Sequence, residues 1–190
     1  MTAAINRGLI RLCPICDAFE VIDQKVAIVS SSAKNGVDHA LFLRSYTHAV
    51  TLFYFADVAL PRPDQKKLQK AQIDVIEDAL GEIHITEQKK PMIRLSSGKE
   101  LHFDVIYPML GENPRSELGT HIGARCNKDG KLIVDRHRRT TITGLYAAGD
   151  VVQELNQISV AMGQAAIAAT GIHDQLISWV HNQGQLRPKN

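Results

Sequence analysis

Between residues 25 and 55 the chain alternates in a way that few folds satisfy. "KVAIVS" (25–30) is a short apolar run rich in β-branched residues, and "SSSAKNG" (30–36) follows it as a small-residue loop. "VDHALFLRSYTH" (37–48) sets Val37, Ala40, Leu41 and Arg44 at helical spacing, and "AVTLFYF" (49–55) returns as a second apolar strand. Strand, loop, helix and strand within about 30 residues make the βαβ unit of a parallel sheet. Such a sheet is buried on both faces, so the chain needs a covering layer on each side. The fold class is therefore α/β. A length of 190 residues is enough to build a real core around that sheet.

The segments that follow supply the layers. "LPRPDQKKLQKAQIDVIEDAL" (60–80) predicts a helix after Pro63, with Leu68, Gln72, Val75 and Ala79 on one stripe. "EIHIT", "MIRLS" and "ELHFD" read as short strands, the last two joined as a hairpin through Ser97-Gly98. "DVIYPMLGENP" (104–114) predicts an apolar strand that runs into a Gly and Pro turn. "KLIVD" (131–135) and "GLYAAGD" (144–150) are expected to be further strands, and "QISVAMGQAAIAATGIHDQLISWV" (157–180) a long helix. A composition shift after Phe103 places a boundary near residue 104.

Composition narrows the function classes. Apolar content of 44% with 22% charged residues is that of a soluble globular chain. A net charge of +2 provides no basic face for nucleic acid or an anionic membrane, and "DRHRRT" (135–140) is short and carries its own acid. No apolar stretch approaches the ~20 residues that span a bilayer, and "MTAAINRGLI" lacks the apolar core of a secretion signal. Three cysteines do not make a secreted disulfide framework, so the cytoplasm is the expected compartment.

Two of those cysteines sit in "RLCPICDAFE" (11–20), three positions apart around a proline and followed by an acid. Three chemistries fit a CxxC pair. A zinc clip needs four ligands, and neither Cys126 nor the scattered His84 and His102 shows a second ligand pair; no metal is expected. An inert pair is the second reading. The third is a redox pair, because the tight ring closed by Cys13 and Cys16 favours exchange, Pro14 restricts it, and Asp17 can move a proton to or from a thiol.

The second informative stretch is "GLYAAGDVV" (144–152). Gly149 lets backbone approach a ligand, and Asp150 offers a carboxylate that can accept bonds from sugar-like hydroxyls or serve as a helix cap. The helix starting near Gln157 aims unpaired N–H groups and a partial positive charge at whatever lies before it.

CxxC-Asp, a dinucleotide-type βαβ unit, the "GENP" turn and "LYAAGD" before a small-residue helix occur here in the order found in thioredoxin reductases. The chain resembles that family, the low-molecular-weight FAD- and NAD(P)-dependent pyridine nucleotide-disulfide oxidoreductases, from about Leu9 to Trp179. The resemblance implies a Rossmann-like three-layer (ββα) nucleotide-binding domain over 12–103 and the C-terminal half of an FAD-binding domain over 104–182. It implies Asp150, with Gly149, on the ribityl chain of FAD, Gln157 and Ile158 beside the isoalloxazine, and Gly111 and Pro114 where the chain re-enters the flavin domain. Cys16 would face the flavin, Cys13 would exchange with the substrate disulfide, and Asp17 would handle protons.

Two departures qualify the match. Ser30, Ser31 and Ser32 stand where the family has glycines, with one extra residue, so NAD(P)H is expected against Ser30, Ser32 and Gly36 at the helix start. Asp57 and Arg62 follow the second strand without the paired arginines of a 2′-phosphate site. The chain also opens almost at the CxxC. The N-terminal FAD segment is therefore expected to be missing, and the chain to be a fragment, one subunit of a split enzyme, or a remnant. The implied function is transfer of reducing equivalents from NAD(P)H through FAD to Cys13–Cys16, and onward to a thioredoxin-like protein or a small disulfide, in a homodimer. A flavin-free thiol-disulfide protein and a non-catalytic binding protein are the rivals.

Overall fold

The computed structural model describes residues 2–87 and 89–182, and the chain divides into two compact units that meet at Gly111/Glu112. In the first unit α1 (Thr2–Asn6), α2 (Pro14–Asp17) and a 3-10 turn (Ala18–Val21) precede β1 (Val26–Ser30). Then follow α3 (Ala33–Leu43), β2 (Val50–Tyr54), α4 (Arg62–Lys70), β3 (Asp74–Ile76), β4 (Leu80–Ile85), β5 (Pro91–Leu95), β6 (Glu100–His102) and β7 (Val105–Met109). The parallel sheet has the order β3-β2-β1-β7, and β4-β5-β6 form a separate antiparallel sheet.

Alternation along the buried strands builds two cores. Val26 and Ile28 of β1 and Val105, Tyr107 and Met109 of β7 pack with Val37, Ala40 and Leu43 of α3 and Leu68 of α4. Their neighbours Ala27, Val29 and Ile106 pack with Ile93 and Leu95 of β5 and with Phe103, just past β6. Period-two side chains thus feed both faces of the sheet, giving the three layers that the sequence predicts.

Helix α3 begins four residues earlier than the apolar spacing suggests, because Ser32 caps it: its side chain accepts from the Asn35 N–H at 3.4 Å. Gly36 lies where α3 crosses β1. A Cβ there would come within 3.1 Å of both Ser30 Cβ and Leu52 Cδ1. Gly36→Ala is therefore expected to lose about 1 kcal/mol net, the helix preference for alanine offsetting part of the crowding, as read by urea unfolding.

Three expectations are corrected. The helix predicted through residue 80 ends at Lys70: Gln72 adopts a positive φ of 55°, the Ile73 N–H returns to Leu68 O, and β3 pairs with β2. The boundary drawn near 104 moves to 111, because β7 is the strand beside β1 in the first unit's sheet. Segments 131–135 and 144–150 are not strands. Leu132 makes single bridges to Cys126 and Val152, and Tyr146 makes one to Arg139, with no ladder around them among the described residues.

The second unit contains α5 (Glu117–His121) and α6 (Ile158–Asn182), the latter close to the helix read from sequence. Its small core joins Ala124, Leu132 and Val152 to Val134, Ile142, Leu145, Ala147 and Val151.

Candidate functional site

Residues 9–11 run beside β7: the Ile106 N–H donates to Leu9 O, and the Arg11 N–H donates to Ile106 O. That edge contact delivers the chain into α2. Cys13 is its N-cap residue and Pro14 fills the first turn, where a missing N–H costs nothing. The Cys16 N–H bonds Cys13 O at 3.0 Å, and the two sulfurs form a disulfide with Cα atoms 5.3 Å apart. Cys13 is half-buried and Cys16 is exposed.

Asp17, the last residue of α2, is held from two sides. The Tyr107 hydroxyl donates to Oδ1 at 2.6 Å, and Arg11 Nη1 lies 3.3 Å from Oδ2 and 2.7 Å from Glu20 Oε2. Burial pushes the Tyr107 phenol well above its ordinary range, and its bond to Asp17 adds to this, so it stays a donor at any working pH. Burial works against the Arg11 charge, but the bonds to Glu20 and Asp17 outweigh it and hold the guanidinium protonated. A cavity of about 560 Å³ is lined by Arg11, Cys13, Asp17 and Glu20. Cys13, Cys16 and Asp17 are thus brought together. Among the described residues no group of three or more His, Cys, Asp or Glu is placed to hold a metal, and Cys126 is exposed in the second unit.

Ser30, Ser32 and Gly36 also meet, at the start of α3. Ser30 is fully buried; its hydroxyl lies 3.0 Å from Met109 O and from Ser32 O, and its oxygen accepts the Ser32 N–H. Ser32 Oγ is engaged at the Asn35 N–H. No residue from 30 to 36 has a positive φ, so serine fits without strain where a glycine turn would demand one. Two of the amides at the head of α3 are therefore satisfied internally, and the buried Ser30 has nothing to offer an external phosphate. A pyrophosphate here would meet the exposed start of α3, with Ser31, Lys34 and Asn35, and not a glycine turn.

In the second unit Gly149 turns the chain at φ 81° and its N–H donates to Gln164 Oε1 at 2.7 Å. Gln164 is only 3% exposed; its Nε2 donates to Glu154 Oε2 at 2.7 Å, and Arg138 Nη1 donates to Glu154 Oε1 at 2.6 Å. The Arg138 bond, then that of Gln164, holds the Glu154 carboxyl below the usual range. This chain of bonds fixes the turn that leaves Asp150 exposed. The Gln157 carbonyl accepts the Ala161 N–H as α6 starts, and Ile158 is 82% exposed. Lys131 reaches Glu112 at 2.6 Å and Asn156 at 3.0 Å, pinning the residue before Gln157. An exposed carboxylate on a glycine turn and an open helix start fit the hydroxyls and electron-rich ring edge of a flavin.

The sequence reading missed Arg11, Tyr107, Arg138 and Gln164. Two carried a signal: Tyr107 is the hydroxyl in an apolar strand, and Gln164 the amide in a run of small residues.

Known proteins share this architecture. The family described as pyridine nucleotide-disulphide oxidoreductase matches residues 6–165. An alkyl hydroperoxide reductase subunit of Staphylococcus aureus is 31% identical over 183 residues, covering 91% of this chain and 35% of that protein. The NADH dehydrogenase of Bacillus subtilis is 30% identical over 180 residues, covering 90% and 35%. The thioredoxin reductase from Streptococcus pyogenes superposes with a TM-score of 0.78 at 26% identity, covering 90% of this chain and 58% of that one. The chain thus spans about a third of the length of these curated relatives. A family match over most of the chain, on a parallel sheet with a CxxC disulfide beside it, has one meaning: this chain belongs to the pyridine nucleotide-disulphide oxidoreductases.

Proposed function

We propose that the chain carries the thiol-disulfide exchange centre of a thioredoxin reductase-like flavoprotein oxidoreductase. The observation that supports this most directly is the Cys13–Cys16 disulfide on a single helical turn, with the carboxylate of the next residue, Asp17, held by Tyr107 and Arg11. Bound FAD, once reduced, would supply two electrons to that disulfide, and Gly149, Asp150, Gln157 and Ile158 are the residues of this chain that would hold it. In the family reaction as expected from sequence the electrons start on NAD(P)H. Loop 30–36 would meet that cofactor at the exposed start of α3 and without a glycine turn, so the reading here begins at the disulfide.

Once reduced, Cys13 as thiolate attacks one sulfur of the substrate disulfide, forming a mixed disulfide and releasing one substrate thiolate. Cys16 then loses its proton and attacks the Cys13 sulfur, re-forming Cys13–Cys16 and releasing the second thiolate. The two protons of the dithiol end on the two products, and Asp17 is placed to carry one of them. The partner class is a thioredoxin-like protein or a small disulfide, and homodimerisation is carried over from the family resemblance. No helix among the described residues is long and apolar enough to cross a membrane. The cytoplasm, where a CxxC pair can cycle, is the proposed compartment.

One observation favours a flavin-free reading: the whole exchange centre lies within the first unit. The deciding experiment reduces the chain, removes the reductant and adds a disulfide dye with and without FAD. In a Cys126→Ser chain, which lacks the exposed third thiol, release of two dye thiolates per chain is expected. A chain whose cysteines neither re-form the disulfide nor release dye overturns both exchange readings, whereas a spent disulfide that added NADH and FAD together do not re-reduce favours the flavin-free one.

A further inference from the structure

The residue that the exchange chemistry leaves unexplained is Tyr107. It lies in β7 on the face that packs against the helices, fully buried, among the side chains around Val105 and Met109. A phenol in such a core needs one partner for its hydroxyl. Here that partner is a carboxylate 90 residues away in sequence, the one beside the redox disulfide. Asp17 sits at the end of a one-turn helix, where little else would fix its rotamer. Tyr107 takes one of its oxygens and Arg11 faces the other, while Cys13 and Asp17 line one cavity that Cys16 does not line. The charged groups around this carboxylate are Arg11 from the segment before α2, Glu20 from the 3-10 turn and Arg7 across the cavity; Tyr107 comes from β7.

We propose that Tyr107 is a positioning residue for thiol-disulfide exchange: it fixes the Asp17 carboxylate on the Cys13 side of the disulfide, so that Asp17 governs the protonation of Cys13 and not of Cys16. The proposal rests on the reading of Asp17 as the proton-handling group. A donor removed from Asp17 leaves its negative charge less offset, which disfavours a neighbouring thiolate. Removing the charge itself does the opposite. Tyr107 and Asp17 therefore make opposite predictions for the same sulfur.

The experiment alkylates the reduced chain with iodoacetamide across pH, following each cysteine by peptide mass. Tyr107→Phe keeps the buried ring and is expected to slow Cys13 at pH 7 roughly threefold while leaving Cys16 unchanged. Asp17→Asn is expected to speed Cys13, and in the double variant Tyr107→Phe adds nothing further. A purely structural tyrosine would lower the unfolding midpoint without moving the ratio of the two rates. The proposal is overturned if Tyr107→Phe leaves the Cys13 profile at its native position, changes both cysteines alike, or still acts when Asp17 is asparagine. Alkylation needs no turnover, so a native chain that fails to exchange with the dye refutes the proposed function while this ratio still judges Tyr107.

Discussion

Cys16→Ser is expected to leave a reduced chain that attacks a disulfide once and then stalls as a mixed disulfide on Cys13. The attack needs only one thiolate, but release needs the second sulfur, three residues on, to displace the bound partner. Turnover with a dye or protein disulfide should fall by at least about a thousandfold, while one dye thiolate beyond that of the exposed Cys126 is still released per chain. Cys13→Ser should lose the first step as well. The two variants also decide which sulfur attacks. Exposure alone points to Cys16, the more open of the pair, whereas the cavity shared with Asp17 points to Cys13. A stable adduct trapped on Cys13 in the Cys16→Ser chain, located by peptide mass apart from any on Cys126, supports the assignment made here. An adduct that forms only on Cys16, in the Cys13→Ser chain, reverses it.

The parts of the molecule legible from sequence are those whose signal is local. β1 and β2 are apolar on both faces because each side meets a core, and five consecutive buried residues are plain in the letters. The CxxC was legible for the same reason, since one helical turn contains the whole ring. Segment 72–80 was misread because Ile73, Val75 and Ile76 suit either a helix stripe or a strand, and only pairing with Thr51, Leu52 and Phe53 decides. "KLIVD" and "GLYAAGD" have strand composition, yet each finds only isolated bridges, and composition cannot supply a partner. The supporting shell of the candidate site was the least visible. Tyr107 and Asp17, or Gly149 and Gln164, are joined by tertiary contact across long stretches of chain, and neither pair leaves a spacing to read. Ser30 was visible as a departure, but not that its hydroxyl turns inward to Met109.

Gln164→Leu is expected to loosen the Asp150 turn. Leucine is close in size to glutamine, so the packing against Gly149 survives while both hydrogen bonds vanish. The Gly149 N–H then loses its acceptor on a turn that is partly shielded from water, and Glu154 keeps only Arg138. One unmade bond at a shielded donor costs about 1–3 kcal/mol. Trp179 is the chain's single tryptophan and lies on α6, so its fluorescence reports this unit's unfolding in urea separately from the first. The sign with pH is fixed by Glu154. Its carboxyl is held low by Arg138 and then by Gln164, so its contribution is present at neutral pH and is lost as acid drives it below the ordinary carboxylate range. The native chain should therefore lose stability on acidification more steeply than Gln164→Leu, and the gap between them should narrow toward low pH to the share of the Gly149 bond. An unchanged tryptophan transition in Gln164→Leu at neutral pH would show that Gly149 is held by the backbone alone, and the case for a built flavin turn in this unit would fall with it.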